Sequence, residues 1–503
     1  MTAAPIAVSP ERRLGERGLL EQAFSRASGT PLVTGNRIRL LRDAAENYPA
    51  WLEAIANARR TIHFETYIIW DDKQGAIFAD ALTAKAREGV RVRVLYDWLG
   101  AIGKTPTRFW DSMLRAGADV RAFNPPRLAS PLGWIHRDHR KALIVDGEIA
   151  FIAGLCVGQQ WVGYPEQGIQ PWRDTGVELR GPAVAAAERA FARTWATAGS
   201  SGIDDQIEVP TPPPAGDVTV RVIASEPWTT GMMRLGQLMA AAARERLWIT
   251  DAYFAGTPDY VQALRSAALD GVDVRLLVPG TTDIPLVQAL SRVGYRPLLE
   301  AGIRVFEWRG SMMHAKTAVT DDRWARVGSS NLNVASWIGN WEIDVAVDDP
   351  EFGKAMSAMY LEDLANSTEI VLSEARVGDR RRFSRWPHTS RRTFGSAGRI
   401  AAGAVRIGNT ASAMFTERRV LGSAEARVVA LVGLACVVLA ALILFWPRLL
   451  AIPFGLLLAW IGSSALLKAR SLRREREERG EGRRRVVEAG SAQSASSEGR
   501  LGS

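Results

Sequence analysis

The sequence predicts an α/β fold made of two related halves, followed by an apolar helical hairpin near the C-terminus. Three observations support this prediction: a repeated helix–strand pattern, a repeated histidine–lysine motif, and two long uncharged segments after residue 427. The chain has 503 residues, of which 47% are hydrophobic, so we expect two or three domains with a sizeable core.

The internal repeat is visible in helices followed by apolar-rich strands. Residues 88–97 read EGVRVRVLYD and residues 270–279 read DGVDVRLLVP, and each stretch follows a helical pattern, FADALTAKAR or YVQALRSAAL. Further along each half, AGADVRAFN at 116–124 matches AGIRVFEW at 301–308. Helices that alternate with strands in this way predict α/β layers in both halves.

A segment rich in proline and acidic residues, DDQIEVPTPPPAG, separates the halves and predicts a linker. The organisation predicted from the sequence is a loosely ordered leader (1–30), a first lobe (31–203), the linker (204–216), a second lobe (217–375), a basic connector (376–427), a membrane hairpin (428–467) and a charged tail (468–503).

The hairpin prediction depends on two uncharged, largely apolar segments, 428–446 and 449–467, which Pro447 and Arg448 separate. A helix of such length reaches about 28 Å, close to the hydrocarbon thickness of a bilayer. Basic residues flank both ends, which predicts that both ends lie on the cytoplasmic side. The N-terminal residues lack the apolar region of a secretory signal, so we expect the lobes at the cytoplasmic face of the inner membrane. A spanning and a re-entrant hairpin both fit this pattern.

The net charge of +9 is distributed unevenly along the chain. Residues 376–427 hold twelve arginines and three acidic residues, whereas residues 1–375 carry a net charge of −5. Basic charge beside an apolar segment indicates attraction to anionic lipids in a bilayer. A mildly acidic body disfavours nucleic acid as a partner. The two cysteines, Cys156 and Cys436, lie far apart, which argues against a disulfide framework.

Each half contains one histidine–lysine motif. His139 and Lys141 are followed by ALIV and Asp146, and His314 and Lys316 are followed by TAVT and an aspartate at position 321. The apolar run ALIV predicts a strand that ends in a two-residue hairpin turn, Asp146-Gly147. Residues i and i+2 of a strand share a face, so each histidine should project beside its lysine.

These motifs are too frequent for chance. With five histidines and seven lysines, the chain should contain roughly 0.07 His-x-Lys triplets. It contains two, at equivalent places in the repeat, although the chain uses 56 arginines against seven lysines. A compact ammonium charge beside an imidazole is suited to binding and attacking a phosphoryl group.

The repeated His-x-Lys-x4-Asp pattern resembles the HKD motif of the phospholipase D superfamily. Flanking stretches such as HRKALIVDGEIAFIAGL, WRDTGVELRGPAV and GSSNLN are most similar to bacterial cardiolipin synthases. The resemblance covers roughly residues 35–370 and implies two α/β/α sandwich lobes with one pseudo-twofold active site at their interface. It also implies ping-pong phosphatidyl transfer through a phosphohistidine, without metal or cofactor, on phospholipid substrates, foremost phosphatidylglycerol.

The resemblance assigns roles to individual positions. It makes His139 the nucleophile and His314 the acid, while Lys141 and Lys316 neutralise the phosphate oxygens. The remaining motif and supporting positions are Asp174 and Glu342, which orient the imidazoles, Ser329 and Asn331, which contact the phosphate, and Asp146 and Asp321, which we expect to be structural members of the motifs.

Two features depart from the family pattern. Cys156 stands where the first motif usually has asparagine, which predicts a weaker hold on phosphate in that half. The apolar hairpin follows the lobes, whereas cardiolipin synthases typically carry membrane helices before them. A divergent or accessory member of the family fits this order.

Several positions and functions stay open at this stage. The tryptophans at 134, 161 and 172 fit either a lipid entrance or core packing. His136, three residues before His139, should face the opposite side and take no part in catalysis. The alternative functions are a phospholipase D hydrolase that releases phosphatidic acid, a nuclease-type phosphodiesterase, and a non-catalytic membrane scaffold.

Overall fold

The computed structural model describes residues 10–126, 135–199, 207 and 209–371, and isolated positions between 434 and 463. The described residues within 10–123 and 136–371 belong to one compact unit, which contains both halves of the repeat. The isolated positions after 434 are helical and belong to a second unit. The basic connector, the charged tail and most of the apolar hairpin lie outside the described residues.

Two α/β halves make up the larger unit. Its strands are β1 (Val33–Arg42), β2 (Thr61–Thr66), β3 (Arg91–Asp97), β4 (Asp119–Phe123), β5 (Ala142–Val145), β6 (Ile149–Ala153), β7 (Thr175–Arg180), β8 (Val218–Ser225), β9 (Arg246–Thr250), β10 (Asp273–Pro279), β11 (Arg304–Trp308), β12 (Thr317–Thr320), β13 (Trp324–Gly328), β14 (Glu342–Asp348) and β15 (Ser367–Ile370). Its helices are α1 (Pro10–Ser28), α2 (Asp43–Asn57), α3 (Lys73–Arg87), α4 (Trp98–Ala101), α5 (Asp111–Arg115), α6 (Gln159–Val162), α7 (Val184–Ala198), α8 (Gly231–Ala242), α9 (Pro258–Leu269), α10 (Pro285–Glu300) and α11 (Pro350–Ala365).

The strands form one mixed sheet of fifteen strands, in the order β15-β11-β10-β9-β12-β13-β14-β8-β1-β7-β6-β5-β2-β3-β4. The order from β4 inward to β1 repeats as the order from β11 inward to β8, so the two halves meet in antiparallel pairing of β1 with β8. β3 is parallel to its neighbours β2 and β4, as β10 is to β9 and β11. The helices and strands that the repeat predicts are therefore confirmed.

Successive side chains of each strand point to opposite faces of the sheet, and a hydrophobic core covers each face. In β5, Leu143 and Val145 join a cluster with α2 and α3, whereas Ala142 and Ile144 join a second cluster with α7. The second cluster also contains side chains of β13, β14 and α11, so it packs the two halves together. Helices thus cover both faces of the first half of the sheet, as an α/β/α arrangement requires.

Two expectations about local structure were wrong. The predicted leader contains α1, which the structure places over Pro10–Ser28, and Phe24 is buried in a cluster with β8 and α8. Burial of this aromatic side chain, together with hydrogen bonds from the buried Arg221 to Ser25 and Glu21, holds the helix in place. The predicted two-residue turn after β5 is a three-residue loop, since Val145 pairs with Ile149. Asp146 and Gly147 both take positive φ angles there.

No helix within the described residues is long and apolar enough to cross a membrane. The segments that predict the hairpin, 428–446 and 449–467, fall almost wholly outside those residues. The described part of the predicted linker, residue 207 and residues 209–216, adopts neither helix nor strand and connects α7 to β8.

Candidate active site

Glu342, at the start of β14 in the second half, holds the imidazole of His139 in the first half. Nδ1 of His139 lies 3.0 Å from Oε1 and 2.9 Å from Oε2 of this carboxylate. Glu342 is completely buried, and the side chain of His139 keeps 13% of its surface exposed. A carboxylate can only accept, so Nδ1 carries the proton and Nε2 is left free.

Asp174, directly before β7 in the first half, holds the imidazole of His314 in the second half. Oδ2 of Asp174 lies 2.6 Å from Nδ1 of His314. Both side chains are buried. Nζ of Lys316 also lies 3.1 Å from this Nδ1, but the shorter contact is to a carboxylate, which can only accept. The proton of His314 is therefore placed on Nδ1, and its Nε2 is left free for a ligand.

In this exchange of acids, each half supplies the carboxylate that holds the imidazole of the other half. Backbone hydrogen bonds link the two halves in the same way. The N–H of His139 donates to the carbonyl of Trp341, directly before Glu342. The N–H of His314 donates to the carbonyl of Arg173, directly before Asp174. Each histidine is thus fixed, at its backbone and at its ring, by the opposite half of the chain.

The two lysines stand beside the histidines and are buried. Nζ of Lys141 donates to the carbonyl of His139 at 2.5 Å, and Nζ of Lys316 donates to the carbonyl of His314. Both pairs lie in extended segments that directly precede β5 and β12, so the expectation that they lie on the strands themselves was wrong. The carbonyl of Lys141 still accepts from the N–H of Ala153 in β6 at 3.2 Å, whereas the N–H groups of His139 and His314 donate to the opposite half.

Burial lowers the pKa of both imidazoles. The pKa of His139 falls below its ordinary value because of burial, and Lys141 adds to this, although Glu342 opposes it. Burial and then Lys316 lower the pKa of His314 to about 4. Lys316 also acts on His139, and Lys141 on His314, so the charges of both halves meet at one site. At neutral pH both rings are therefore unprotonated at Nε2.

The acids and one lysine are shifted as well. Burial alone would raise the pKa of Glu342 and Asp174, but His139 and His314, respectively, are the largest of the opposing influences and the pKa of each acid ends below its ordinary value. Burial lowers the pKa of Lys316 to about 8. The site at neutral pH consequently combines two carboxylates with two neutral rings and two ammonium groups.

The two acids are positioned by different donors. Ser329 Oγ donates to Oε2 of Glu342 at 2.6 Å, so this serine supports the acid. Nε1 of Trp161 donates to Oδ2 of Asp174 at 3.1 Å. Gly154 occupies the position of Ser329 in the first half, and a Cβ there would lie 2.2 Å from Oδ1 of Asp174. The shorter aspartate thus requires glycine and a tryptophan donor where the glutamate uses serine.

Asn331 and Cys156 occupy matching positions of the two motifs and differ in chemistry. Asn331 is buried, and its side-chain oxygen lacks a hydrogen-bond partner among the residues that the structure describes. This oxygen could accept a hydrogen bond from a ligand hydroxyl, and the NH₂ of the same amide is the group that could donate to a phosphate oxygen. Cys156 is also buried, and burial raises the pKa of its thiol, so it stays uncharged. The first half therefore offers a weaker polar group than the second.

Asp146 and Asp321 follow the far ends of β5 and β12, five residues or about 16 Å of extended chain from the lysines. Asp146 accepts hydrogen bonds from the backbone N–H groups of residues 59, 60 and 61, at 2.9, 2.7 and 2.8 Å. Asp321 accepts from residues 244, 245 and 246 at 3.0, 2.9 and 2.9 Å. Both aspartates tie a hairpin to the neighbouring strand, so a catalytic role for them does not fit the structure.

Two buried arginines that the sequence analysis did not assign support the acids. Arg140 Nε donates to the carbonyl of Glu342 at 3.1 Å, and its other nitrogens bond to Thr194 and to two further carbonyls. Arg173 donates to the carbonyl of Asp174 and forms a two-point ion pair with Asp363 of α11. Each arginine is adjacent in sequence to a predicted site residue, which is the signal that could have revealed it.

Aromatic side chains line the site on both sides. The ring of Tyr67 lies 5.3 Å from that of His139, and the ring of Tyr253 lies 5.9 Å from that of His314. Trp172 packs 5.4 Å from His314, and Trp161 is buried against it. His136 bonds through Nδ1 to the carbonyl of residue 339 at 2.9 Å. The tryptophan at 134 lies outside the described residues.

Comparison with known proteins decides the family. The family model described as "Cardiolipin synthase, PLD-like domain" matches residues 51–164 and 237–364. Cardiolipin synthase A of Pseudomonas fluorescens is 34% identical over 364 residues, which are 71% of this chain and 74% of the relative. The chain belongs to the cardiolipin synthase family. Cardiolipin synthase of Alkalihalophilus pseudofirmus is 32% identical over 364 residues, 71% of this chain and 72% of that relative.

A solved structure agrees with the fold. The phosphatidylserine synthase of Haemophilus influenzae matches with a TM-score of 0.54 at 14% identity, over 70% of this chain and 91% of that protein. The cardiolipin synthase family consists of phospholipase D-like phosphatidyltransferases, so the enzyme class and the phospholipid substrate class predicted from the motifs are confirmed.

Proposed function

We propose that this member of the cardiolipin synthase family forms cardiolipin by moving a phosphatidyl group from one phosphatidylglycerol to the hydroxyl of another. The observation that supports this most strongly is the exchange of acids, by which Glu342 holds His139 and Asp174 holds His314. It leaves two imidazoles with free Nε2 atoms beside two buried ammonium groups, an arrangement suited to a phosphodiester.

In the first half-reaction, Nε2 of His139 attacks the phosphorus and a phosphorus–nitrogen bond forms. The bond from phosphorus to the glycerol oxygen breaks, and that oxygen takes a proton from Nε2 of His314. Lys141 and Lys316 neutralise the phosphate oxygens, and Asn331 donates a hydrogen bond to one of them. Glycerol departs and the phosphatidyl group stays on His139.

In the second half-reaction, His314 takes the proton from a hydroxyl of a second phosphatidylglycerol. The oxygen of that hydroxyl attacks the phosphorus, and the phosphorus–nitrogen bond to His139 breaks. This step releases cardiolipin and returns both rings to their starting states. Glu342 stabilises the positive charge that His139 carries while phosphorylated.

The proton on His314 requires an explanation, because its pKa is about 4 in the protein without a ligand. A phosphodiester brings a negative charge next to the ring, and this charge favours the protonated form. The assignment of nucleophile and acid follows the family resemblance. Trapping the intermediate tests this assignment.

We further propose that residues 428–467 anchor the protein in the inner membrane, with both lobes on the cytoplasmic side. The support comes from the sequence: two uncharged stretches, basic residues on both flanks, and twelve arginines in residues 376–427. Anchoring keeps the site close to its lipid substrates, and the basic connector attracts anionic headgroups.

Incubation of the full chain with phosphatidylglycerol that carries a labelled phosphate tests this function. We expect labelled cardiolipin and free glycerol, loss of both with His139→Ala, and little change with His136→Ala, a nearby histidine outside the proposed chemistry. Phosphatidic acid as the sole product would make the protein a hydrolase. Absence of turnover, with no effect of His139→Ala, would make it a scaffold.

A further inference from the structure

The segment 98–110 combines exposed apolar residues with basic ones near the site. Leu99 and Ile102 keep 38% and 51% of their surface exposed. Lys104 and Arg108 are exposed as well, and the segment contains no acidic residue. Exposed apolar side chains beside basic ones are typical of proteins that lie on anionic lipid headgroups.

This segment is connected to His139 through one carboxylate. Asp97 accepts hydrogen bonds from the N–H groups of Leu99 at 2.9 Å and Gly100 at 3.2 Å, which begins α4. The same carboxylate accepts from the N–H of Asp138 at 2.8 Å, and Asp138 directly precedes His139. The position of the exposed segment is therefore fixed relative to the nucleophile.

Other exposed apolar residues contact, or lie close in sequence to, residues near the catalytic rings. Trp228 is 75% exposed, and its ring lies 6.0 Å from His136, three residues before His139. Val334, at 52%, follows Asn333, which donates to the carbonyl of Tyr253 at 3.0 Å.

Two further exposed residues belong to the same group. Ile284, at 44%, follows Asp283, which accepts from the hydroxyl of Tyr253 at 2.7 Å. Ile169, at 45%, lies three residues before Trp172, whose ring packs 5.4 Å from His314. Exposed apolar residues that cluster around a site mark an interaction surface, whereas singly scattered ones do not.

We propose that these residues form a docking face that lies on an anionic phospholipid bilayer and brings the site to the lipid headgroups. The docking face consists of Leu99, Ile102, Lys104, Arg108, Ile169, Trp228, Ile284 and Val334. The docking face orients the lobes on the bilayer, whereas the proposed hairpin tethers them to it.

A bilayer fits this face better than a protein partner does, and this choice rests on the proposed function. The phosphate of a phosphatidyl substrate must reach Nε2 of His139 while its acyl chains remain in an apolar environment. A face that buries apolar side chains into the interface allows this without lifting the lipid into water. The basic pair Lys104 and Arg108 matches the negative charge of phosphatidylglycerol.

Comparing two forms of the substrate tests the docking face by activity. The full chain carrying Ile102→Ser and Trp228→Ser is assayed with vesicles of long-chain phosphatidylglycerol and with monomeric dihexanoyl phosphatidylglycerol. We expect a loss of about tenfold or more in vesicles and less than about twofold on the monomer. The matched control, Ile77→Ser with Leu269→Ser, removes exposed apolar residues from α3 and α9 and should lose less than about twofold on both. Equal losses on the two substrates, or none in vesicles, would overturn the proposal.

A second measurement separates the docking face from the proposed reaction. A fluorophore is attached at position 102 through I102C, or at position 269 through L269C, each in a C436S background and in phosphatidylglycerol vesicles. Brominated lipid should quench the label at 102 at least about threefold more than the label at 269. If the wild-type chain transfers no phosphatidyl group but this difference holds, the proposed function fails and the docking face stands. Equal quenching at both positions overturns the docking face, whatever the activity.

Discussion

Replacing Glu342 by glutamine should nearly abolish transfer while leaving the fold in place. The substitution keeps the shape of the side chain and removes the negative charge next to Nδ1 of His139, 2.9 Å away. At an effective dielectric constant of about 20, two unit charges about 3 Å apart attract by about 5–6 kcal/mol. Since His139 becomes positively charged only as it is phosphorylated, this attraction acts on the rate, and its loss predicts a decrease of about 10³–10⁴-fold.

The protein contains a matched control for this substitution. His63 pairs through Nδ1 with Glu188, and both side chains are buried, as in the catalytic pair, but far from the motif residues in the sequence. Glu188→Gln should lower the free energy of unfolding by about 1–3 kcal/mol, as weakening of a buried hydrogen bond to a carboxylate does, and change the transfer rate less than about threefold. Rates are measured with labelled phosphatidylglycerol at matched folded fractions, as judged by circular dichroism. A rate for Glu342→Gln within tenfold of the parent would refute the reasoning.

Three further outcomes are expected. Asp146→Asn should weaken three hydrogen bonds to residues 59–61 and lower the free energy of unfolding, measured by urea denaturation, by about 2–4 kcal/mol. We expect kcat to stay within about threefold of the parent. A large loss of kcat in folded protein would show that Asp146 takes part in catalysis. The pKa of Lys316 is lowered, so its charge is present below pH about 8 and lost above it, and kcat/KM should fall as pH rises through about 8. Lys316→Arg should shift this alkaline decrease in kcat/KM to higher pH, by at least about one pH unit. If the decrease stays at the same pH, it is caused by another group. When the reaction is quenched with alkaline denaturant, in which phosphohistidine is stable, His314→Ala should accumulate labelled phosphohistidine on His139, whereas label on position 314 of His139→Ala would reverse the two roles.

Sequence reasoning was sufficient for the fold class and for the histidine–lysine pairs. The strands at 91–97 and 273–279 and their preceding helices carry the repeat in their apolar spacing, which is a local property. The motif spacing identified His139 and His314 because chance does not produce two such triplets at equivalent positions. These features depend on residues close together in the chain, so they can be read without tertiary structure.

The exchange of acids between the halves could not be predicted. Glu342 was expected to orient an imidazole, but nothing local to it specifies that the ring belongs to His139, about 200 residues away. The burial of Arg140 is similar, because arginine is ordinarily exposed and its hydrogen-bond partners come from three separate segments. The helix α1 was missed because its contacts are to distant residues: Phe24 packs in a cluster with β8 and α8, and the buried Arg221 donates to Ser25 and Glu21.

A crystal structure with vanadate bound would test whether imidazoles from the two halves act on one phosphorus atom. Vanadate takes five ligands and mimics phosphorus during transfer, so it reports the geometry of attack. We predict one vanadium atom bonded to Nε2 of His139, with Nε2 of His314 on the opposite side within hydrogen-bond distance of an axial oxygen, and both ammonium groups on equatorial oxygens. Two separate vanadate ions, one at each ring, or a single ion that reaches one histidine alone, would contradict a shared site.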